Sequence, residues 1–255
     1  MATRARVAAM TDAAEWLGHV QAIERDRYLF RAYGTRLVLR GLAWASAWQE
    51  SRIVEVGRRT LAVACNLDDT TVAVSMRQLV AEQDPLVRVV AAGGGAKPRT
   101  YELSTAEGRP RVEPTLVALH PALRVVSRPA VFLYEALARA AEPMRPDELA
   151  GLAGVVSGRA TSYSLRQLAS QDLATSAGGR WSRAPDVDLT QLAIDNGGLA
   201  DLTDHVDAVV AERMANFTAL FGDRWMPVPG HRDELLYQAR ESAPIIPIRG
   251  TGSRR

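Results

Sequence analysis

Ser75-Met76-Arg77-Gln78-Leu79-Val80 is written a second time in this chain, as Ser164-Leu165-Arg166-Gln167-Leu168-Ala169. Each copy follows a short helical stretch, Leu61-Ala62-Val63-Ala64-Cys65-Asn66-Leu67 in the first and Leu149-Ala150-Gly151-Leu152-Ala153-Gly154-Val155 in the second. Each is followed by a glycine-bearing segment with the composition of a hairpin. An internal repeat constrains architecture more strongly than local propensity does.

Around the first copy, Leu37, Leu39, Leu42 and Ala43 recur at helical spacing, as do Trp16, Leu17, Val20 and Ile23 before them. Two helices are expected over 11–48, with a break near Arg25 to Tyr33; Gly34 and Gly41 weaken continuity. Ile53, Val54 and Val56 form a short β-branched run, a lead strand. A helix from about Gly57 to Cys65 and a turn at Asn66-Leu67 come next. Asp68 or Asp69 then caps a helix reaching about Gln83. Leu86 to Ala91 and Arg99 to Leu103 read as strands joined by Gly93-Gly94-Gly95-Ala96-Lys97-Pro98.

Around the second copy the order repeats. Pro129 starts a helix through Val131 to Leu137, Pro146 opens the next, Gly154 ends it, and Ser157 caps the repeated helix over 157–171. Thr175 to Ser182, with Gly178-Gly179, is a shorter hairpin. Helix, turn, helix, hairpin is the order of a winged helix-turn-helix. The expected fold is therefore mainly α with small β-hairpin wings: two tandem winged helix-turn-helix modules plus helical flanks. The divisions are an N-terminal helical segment 1–30, module one 31–104, a connector 105–128, module two 129–185, a C-terminal helical region 186–241 and a flexible tail 242–255. In the connector, Pro110, Pro114 and Pro121 interrupt helix, and Leu123-Arg124-Val125-Val126 is strandlike enough to join the first sheet. The apolar stripe from Leu189 to Leu220 is broken at Gly197-Gly198.

The chain has 255 residues, 47% hydrophobic and 24% charged, the balance of an ordinary soluble protein. Net charge is +2 and the pI about 8.9, mild for a nucleic-acid binder, so charge by itself argues little. Lys97 is the only lysine; the other basic residues are arginines, as in a GC-rich coding background. The single cysteine, Cys65, excludes an internal disulfide and reads as a packed thiol in a reducing compartment. No apolar run approaches the roughly 20 residues of a membrane span, and no export signal is evident, so a cytoplasmic protein without a membrane partner is expected.

On a helix of about 100° per residue, Val72, Met76 and Leu79 share one side, and Thr161, Leu165 and Leu168 share the matching side of the second copy. Those sides face the module cores. The opposite sides carry Thr70, Val74, Arg77 and Gln78 in module one, and Arg159, Tyr163, Arg166 and Gln167 in module two. Arginine can bond guanine O6 and N7 together, and glutamine can do the same with adenine. Ser162 and Tyr163 suit phosphates. Module two is thus the stronger reader, with Arg180, Trp181 and Arg183 on its hairpin. Module one offers Arg58, Arg59, Thr70, Arg77, Gln78, Lys97 and Arg99, but Asp68 and Asp69 stand where phosphates would approach.

Other chemistry finds no support in the residues. His19, His120, His205 and His231 lie far apart, and with one cysteine they make no metal motif. The glycine-rich stretch at 93–98 lacks the spacing and following helix of a phosphate loop. Asp186 and Asp188, like Asp201, Asp204 and Asp207, are explained by capping and solubility. No catalytic residue, no metal and no cofactor is expected, and the chain is read as a non-enzyme.

Gly57-Arg58-Arg59-Thr60-Leu61-Ala62, Asp69-Thr70-Thr71-Val72, Met76-Arg77-Gln78-Leu79 and Asp84-Pro85-Leu86-Val87-Arg88-Val89 resemble winged-helix proteins carried by mobile elements, plasmids and prophages of high-GC bacteria. The second module and the helical C-terminal part are similar to them in order. The resemblance implies replication initiation or an accessory replication role, or transcriptional regulation of the element. The partner expected is double-stranded DNA, with a homo-oligomer or other replication or regulatory proteins as further partners. The alternative is a winged-helix assembly module of a DNA-associated complex, binding protein and not DNA.

Overall fold

The structure is a computed structural model that describes residues 2–27, 33–93, 98–104, 112 and 114–221. The tail 242–255, Lys97 and the loop tip 94–97 lie outside the described residues. Nine α-helices occur among the described residues: α1 (Ala2–Arg27), α2 (Tyr33–Gln49), α3 (Arg58–Cys65), α4 (Asp69–Ala81), α5 (Arg128–Arg139), α6 (Pro146–Ala153), α7 (Arg159–Ala169), α8 (Leu189–Asp195) and α9 (Gly198–Phe221). The strands are β1 (Ile53–Val56), β2 (Val87–Ala91), β3 (Arg99–Leu103), β4 (Ala174–Ala177) and β5 (Arg180–Arg183). The molecule is mainly helical, with one three-stranded antiparallel sheet in the order β1-β3-β2 and one two-stranded hairpin.

The first unit is built on α2, whose residues from Gly34 to Ser46 are all buried. As expected, two helices are present, α1 to Arg27 and α2 from Tyr33; α2 continues through Gly41, and both Gly34 and Gly41 lie at close approaches. A Cβ on Gly41 would lie 2.5 Å from Cys65 Sγ, and one on Gly34 would lie 2.7 Å from Thr71 Cγ2. The glycines admit α3 and α4 against α2. Asn66 ends α3 in the left-handed conformation (φ 51°), and Asp68 caps α4 by accepting from Thr71 N at 2.7 Å. Helix α4 stops at Ala81, short of Gln83.

The second unit repeats the order α5, α6, turn, α7, β4, β5. It has no lead strand, yet Met144 bridges Trp181 in β5, as β1 pairs β3 in the first unit. Gly154 ends α6 in the left-handed conformation (φ 60°) at the place of Asn66. Two expectations are corrected here. Ser157 does not cap α7: the capping position is Gly158, at φ 98°, and the helix is shorter than 157–171. Leu123 to Val126 is not a strand; two short 3-10 turns, Val117–Leu119 and Pro121–Leu123, lead into it. Pro121 opens the second turn, and the His120 ring accepts from Ala122 N at 3.2 Å, which makes a helical turn the satisfied conformation.

One apolar core runs through both units, from Trp16 and Leu17 of α1 through Leu42, Val72 and Leu79 to Phe132, Leu149, Leu165 and Leu168. A buried ionic cluster lies at the junction. Arg40 (α2) bonds Glu24 (α1) and Glu135 (α5), with Nη2 at 2.7 Å from each carboxylate. Arg36 Nη2 bonds Glu24 at 2.9 Å and the Ala153 carbonyl at 2.8 Å, and Nη1 bonds the Gly154 carbonyl at 3.3 Å. The Arg36 guanidinium also stacks 3.7 Å from the Phe132 ring centre. A cation on the last carbonyls of α6 satisfies that helix end. Burial alone would raise the Glu24 carboxyl, but Arg40 and Arg36 outweigh it and bring it down to about 2. Among the described residues no helix is long and apolar enough to cross a membrane.

Candidate nucleic-acid interface

Helix α7 has no acidic residue in its first turn, and Arg159 is its first residue. Thr161, Ser164, Leu165 and Leu168 are buried, which turns Arg159, Ser162, Tyr163 and Arg166 to the surface. Tyr163 is 60% exposed, the largest value among the exposed large apolar side chains, so packing does not explain it. Arg166 is exposed, and its Nε donates to the Ser162 carbonyl at 3.2 Å along its own helix.

Gln167 behaves differently from the expected base reader. It is half-buried, its Oε1 accepts from Ser127 N at 2.9 Å, and its Nε2 donates to the Val125 carbonyl at 3.5 Å. Ser164 Oγ lies 3.3 Å from Ser127 Oγ. The first unit does the same: Thr35 Oγ1 lies 3.2 Å from Ser75 Oγ and 3.3 Å from Gln78 Oε1. The repeated serine and glutamine therefore clamp the third helix of each unit to the start of its first. Both residues recur in the two copies, but so does the outward arginine between them, Arg77 and Arg166, so recurrence alone does not single out the clamp.

The second hairpin turns at Gly178 and Gly179, both at positive φ. Arg180 is exposed; its Nη1 donates to the Pro143 carbonyl at 3.0 Å and lies 3.8 Å from Glu148. Arg183 sits at the hairpin base, where Nε donates to the Tyr134 hydroxyl at 3.2 Å, and Trp181 packs on the core. The first turn of α6 carries Asp147 and Glu148, and the Glu148 carboxylate accepts from Arg145 N at 2.8 Å.

The first unit has the opposite distribution. Its α3 opens with Arg58 and Arg59, and its α4 follows Asp68 with Asp69. Arg58 grips Asp69 with two bonds, Nε to Oδ1 and Nη2 to Oδ2, each 2.6 Å. Asp68 is held below the usual carboxylate range by its bonds from Thr71. Arg59 is paired with Glu212 of α9. Thr70, Val74 and Arg77 are exposed, with Arg77 Nε 3.4 Å from the Ala73 carbonyl. Gln78 is exposed but clamped to Thr35. Arg99 is exposed at the start of β3 beside Tyr101, whose hydroxyl is pushed up by burial against the pull of that arginine. The acidic start of α4 is thus largely compensated, but at the expense of Arg58.

Among the described residues no group of three or more His, Cys, Asp and Glu is placed to hold a metal ion. Cys65 is buried, its Sγ 3.2 Å from the Leu37 carbonyl, and burial pushes the thiol up to about 12. A small, partly open recess lined by Cys65, Asn66 and Arg124 offers about 30 Å³, room on the scale of water molecules. No protein-family model, no curated protein and no solved structure matches the chain.

Proposed function

We propose that the chain is a sequence-specific double-stranded DNA-binding protein made of two tandem winged helix-turn-helix modules, and that α7 is its reader helix. The observation that carries this reading is the exposed Arg159, Ser162, Tyr163 and Arg166 on a helix with no acidic first turn, beside a hairpin bearing exposed Arg180. Helix–turn–helix–hairpin order in both units, and the β1-β3-β2 order matched by the Met144–Trp181 bridge, support the module assignment. A helix of this kind fits the major groove, where arginine distinguishes guanine. The biological role that goes with it is replication initiation or transcriptional control of a mobile element. A footprint over direct repeats selects the first and a footprint over a promoter selects the second.

A second reading rests on the first unit. Exposed Val74, Val89 and Val90 and the acid-flanked start of α4 suit a protein partner better than a phosphate backbone. The experiment is a fluorescence-anisotropy titration against random duplexes across a salt series, with recovery and sequencing of the bound DNA. Salt-sensitive binding with an enriched motif is expected. Absence of binding at low salt overturns the DNA reading and leaves the assembly reading.

A further inference from the structure

We propose that α9 is an internal cover over the first unit's side of this interface, holding Arg59 and the outer side of α3 away from duplex; the proposal rests on the DNA-binding reading above. Three observations converge on it. Leu202 and Val206 of α9 are buried in a small cluster of their own with Val63 of α3, Leu199 and Val210. Arg124, 5% exposed, ties the start of α9 to α3: Nε donates to Asp201 at 2.7 Å, Nη1 to the Val63 carbonyl at 2.9 Å, and Nη2 lies 3.1 Å from His205 Nδ1. One turn nearer the start of α3, Arg59 is paired with Glu212. Asp201 therefore sits by the end of α3 and Glu212 by its beginning, so the two helices run antiparallel.

From Glu212 the α9 backbone continues to Phe221, which at about 1.5 Å per residue carries it roughly 13 Å past Arg59. The first turn of α3, with its free N–H groups and two arginines, is where a phosphate would be bound. Its two arginines already meet carboxylates of the chain, Arg58 that of Asp69 and Arg59 that of Glu212.

The second unit provides the contrast. Its residue equivalent to Val63 is Gly151, three before the left-handed residue in each case, and nothing lies within 4 Å of a Cβ built there. Leu152 beside it is exposed. The outer side of α6 is open, and that of α3 is covered. In this state only the α7 side of the molecule is presented to duplex, and displacement of α9 adds the α3 side. The Arg59–Glu212 pair is partly exposed on both sides, so it is a weak interaction that a phosphate can replace.

The test uses the full chain, a 30-base-pair random duplex as probe and a KCl series, with the parent, Glu212→Gln, Leu202→Asp and Arg166→Ala compared. Glu212→Gln leaves α9 docked and frees Arg59; Leu202→Asp undocks the helix. Both are expected to bind more tightly than the parent, with the log–log salt slope steeper by about one for each further phosphate neutralised. Parent affinity and slope in both variants, with weakened binding by Arg166→Ala, overturns the cover and leaves the DNA reading standing. Absence of binding by the parent and by both variants overturns the two together. Should Leu202→Asp unfold, Leu202→Ala, which weakens the same packing without adding a charge, takes its place.

Discussion

Arg166 and Gln167 are neighbours in the repeated segment, and the structure gives them opposite surroundings. Arg166 is exposed on α7; Gln167 is bonded to Ser127 N and to the Val125 carbonyl. Arg166→Ala is expected to cost roughly 1–3 kcal/mol of DNA binding and to relax preference at one base position, with folding stability unchanged. Binding selection followed by sequencing checks it; an unchanged motif at full affinity sinks the reader assignment. Gln167→Ala is expected to do the reverse. It removes the acceptor for a backbone N–H and lowers folding stability by about 1 kcal/mol, read as an earlier urea midpoint, with the base preference unaltered. A change in motif without a change in midpoint would return Gln167 to the reader set.

At the scale of elements, the packing of α3 and α4 on α2 depends on what is missing from Gly41 and Gly34. Gly41→Val is expected to destabilise by about 1–3 kcal/mol through overpacking against Cys65. Thermal unfolding measures it, and a midpoint equal to the parent's would mean that α3 can retreat. The 3-10 turn at Pro121–Leu123 has a pH dependence of its own. Burial pushes the His120 ring down to about 4, against the pull of Asp188, and the neutral ring accepts from Ala122 N. The unfolded chain takes up that proton first, near the ordinary histidine value of 6.5. The contribution is therefore fully present above pH 6.5 and is lost as pH falls towards 4. His120→Asn keeps an acceptor without a titrating ring. Its stability, compared with the parent's across this window, should fall less on acidification; parallel curves would remove His120 from the account.

At the scale of the molecule, the two units share one core and one buried ionic cluster, so they are expected to unfold together. Glu135→Ala leaves Arg40 with Glu24 as its remaining carboxylate, and loss of a partner from such a pair costs about 3–5 kcal/mol. A single urea transition, displaced to lower denaturant, is the expected result. Two separate transitions in the parent would show that the units are independent. Glu24 adds an acid limb. Its folded value of about 2 lies below its ordinary 4.5, so its contribution is complete above pH 4.5 and disappears as pH falls through 2. The cluster ties α1 and α2 of the first unit to α5 and the end of α6 of the second.

The repeated segment, the caps and the turn residues made most of the elements legible. Apolar spacing marks helices, β-branched runs mark strands, and Asn66, Asp68 and Gly154 act through bonds and dihedrals within a few residues of themselves. The inward side of α7, at Thr161, Leu165 and Leu168, was legible for the same reason. Local signals also misled where two local preferences competed: Leu123 to Val126 is strandlike in composition, yet Pro121 and His120 start a helical turn there. What a residue's side chain bonds far along the chain was decided by the tertiary structure alone. Arg36 and Arg40 lie 95 residues or more from Glu135, Ala153 and Gly154, and Arg59 lies 153 from Glu212. Spacing along a helix says which side a residue is on. Only packing says whether that side meets solvent, another helix or an opposite charge, because burial and pairing depend on which distant segments the shared core brings together.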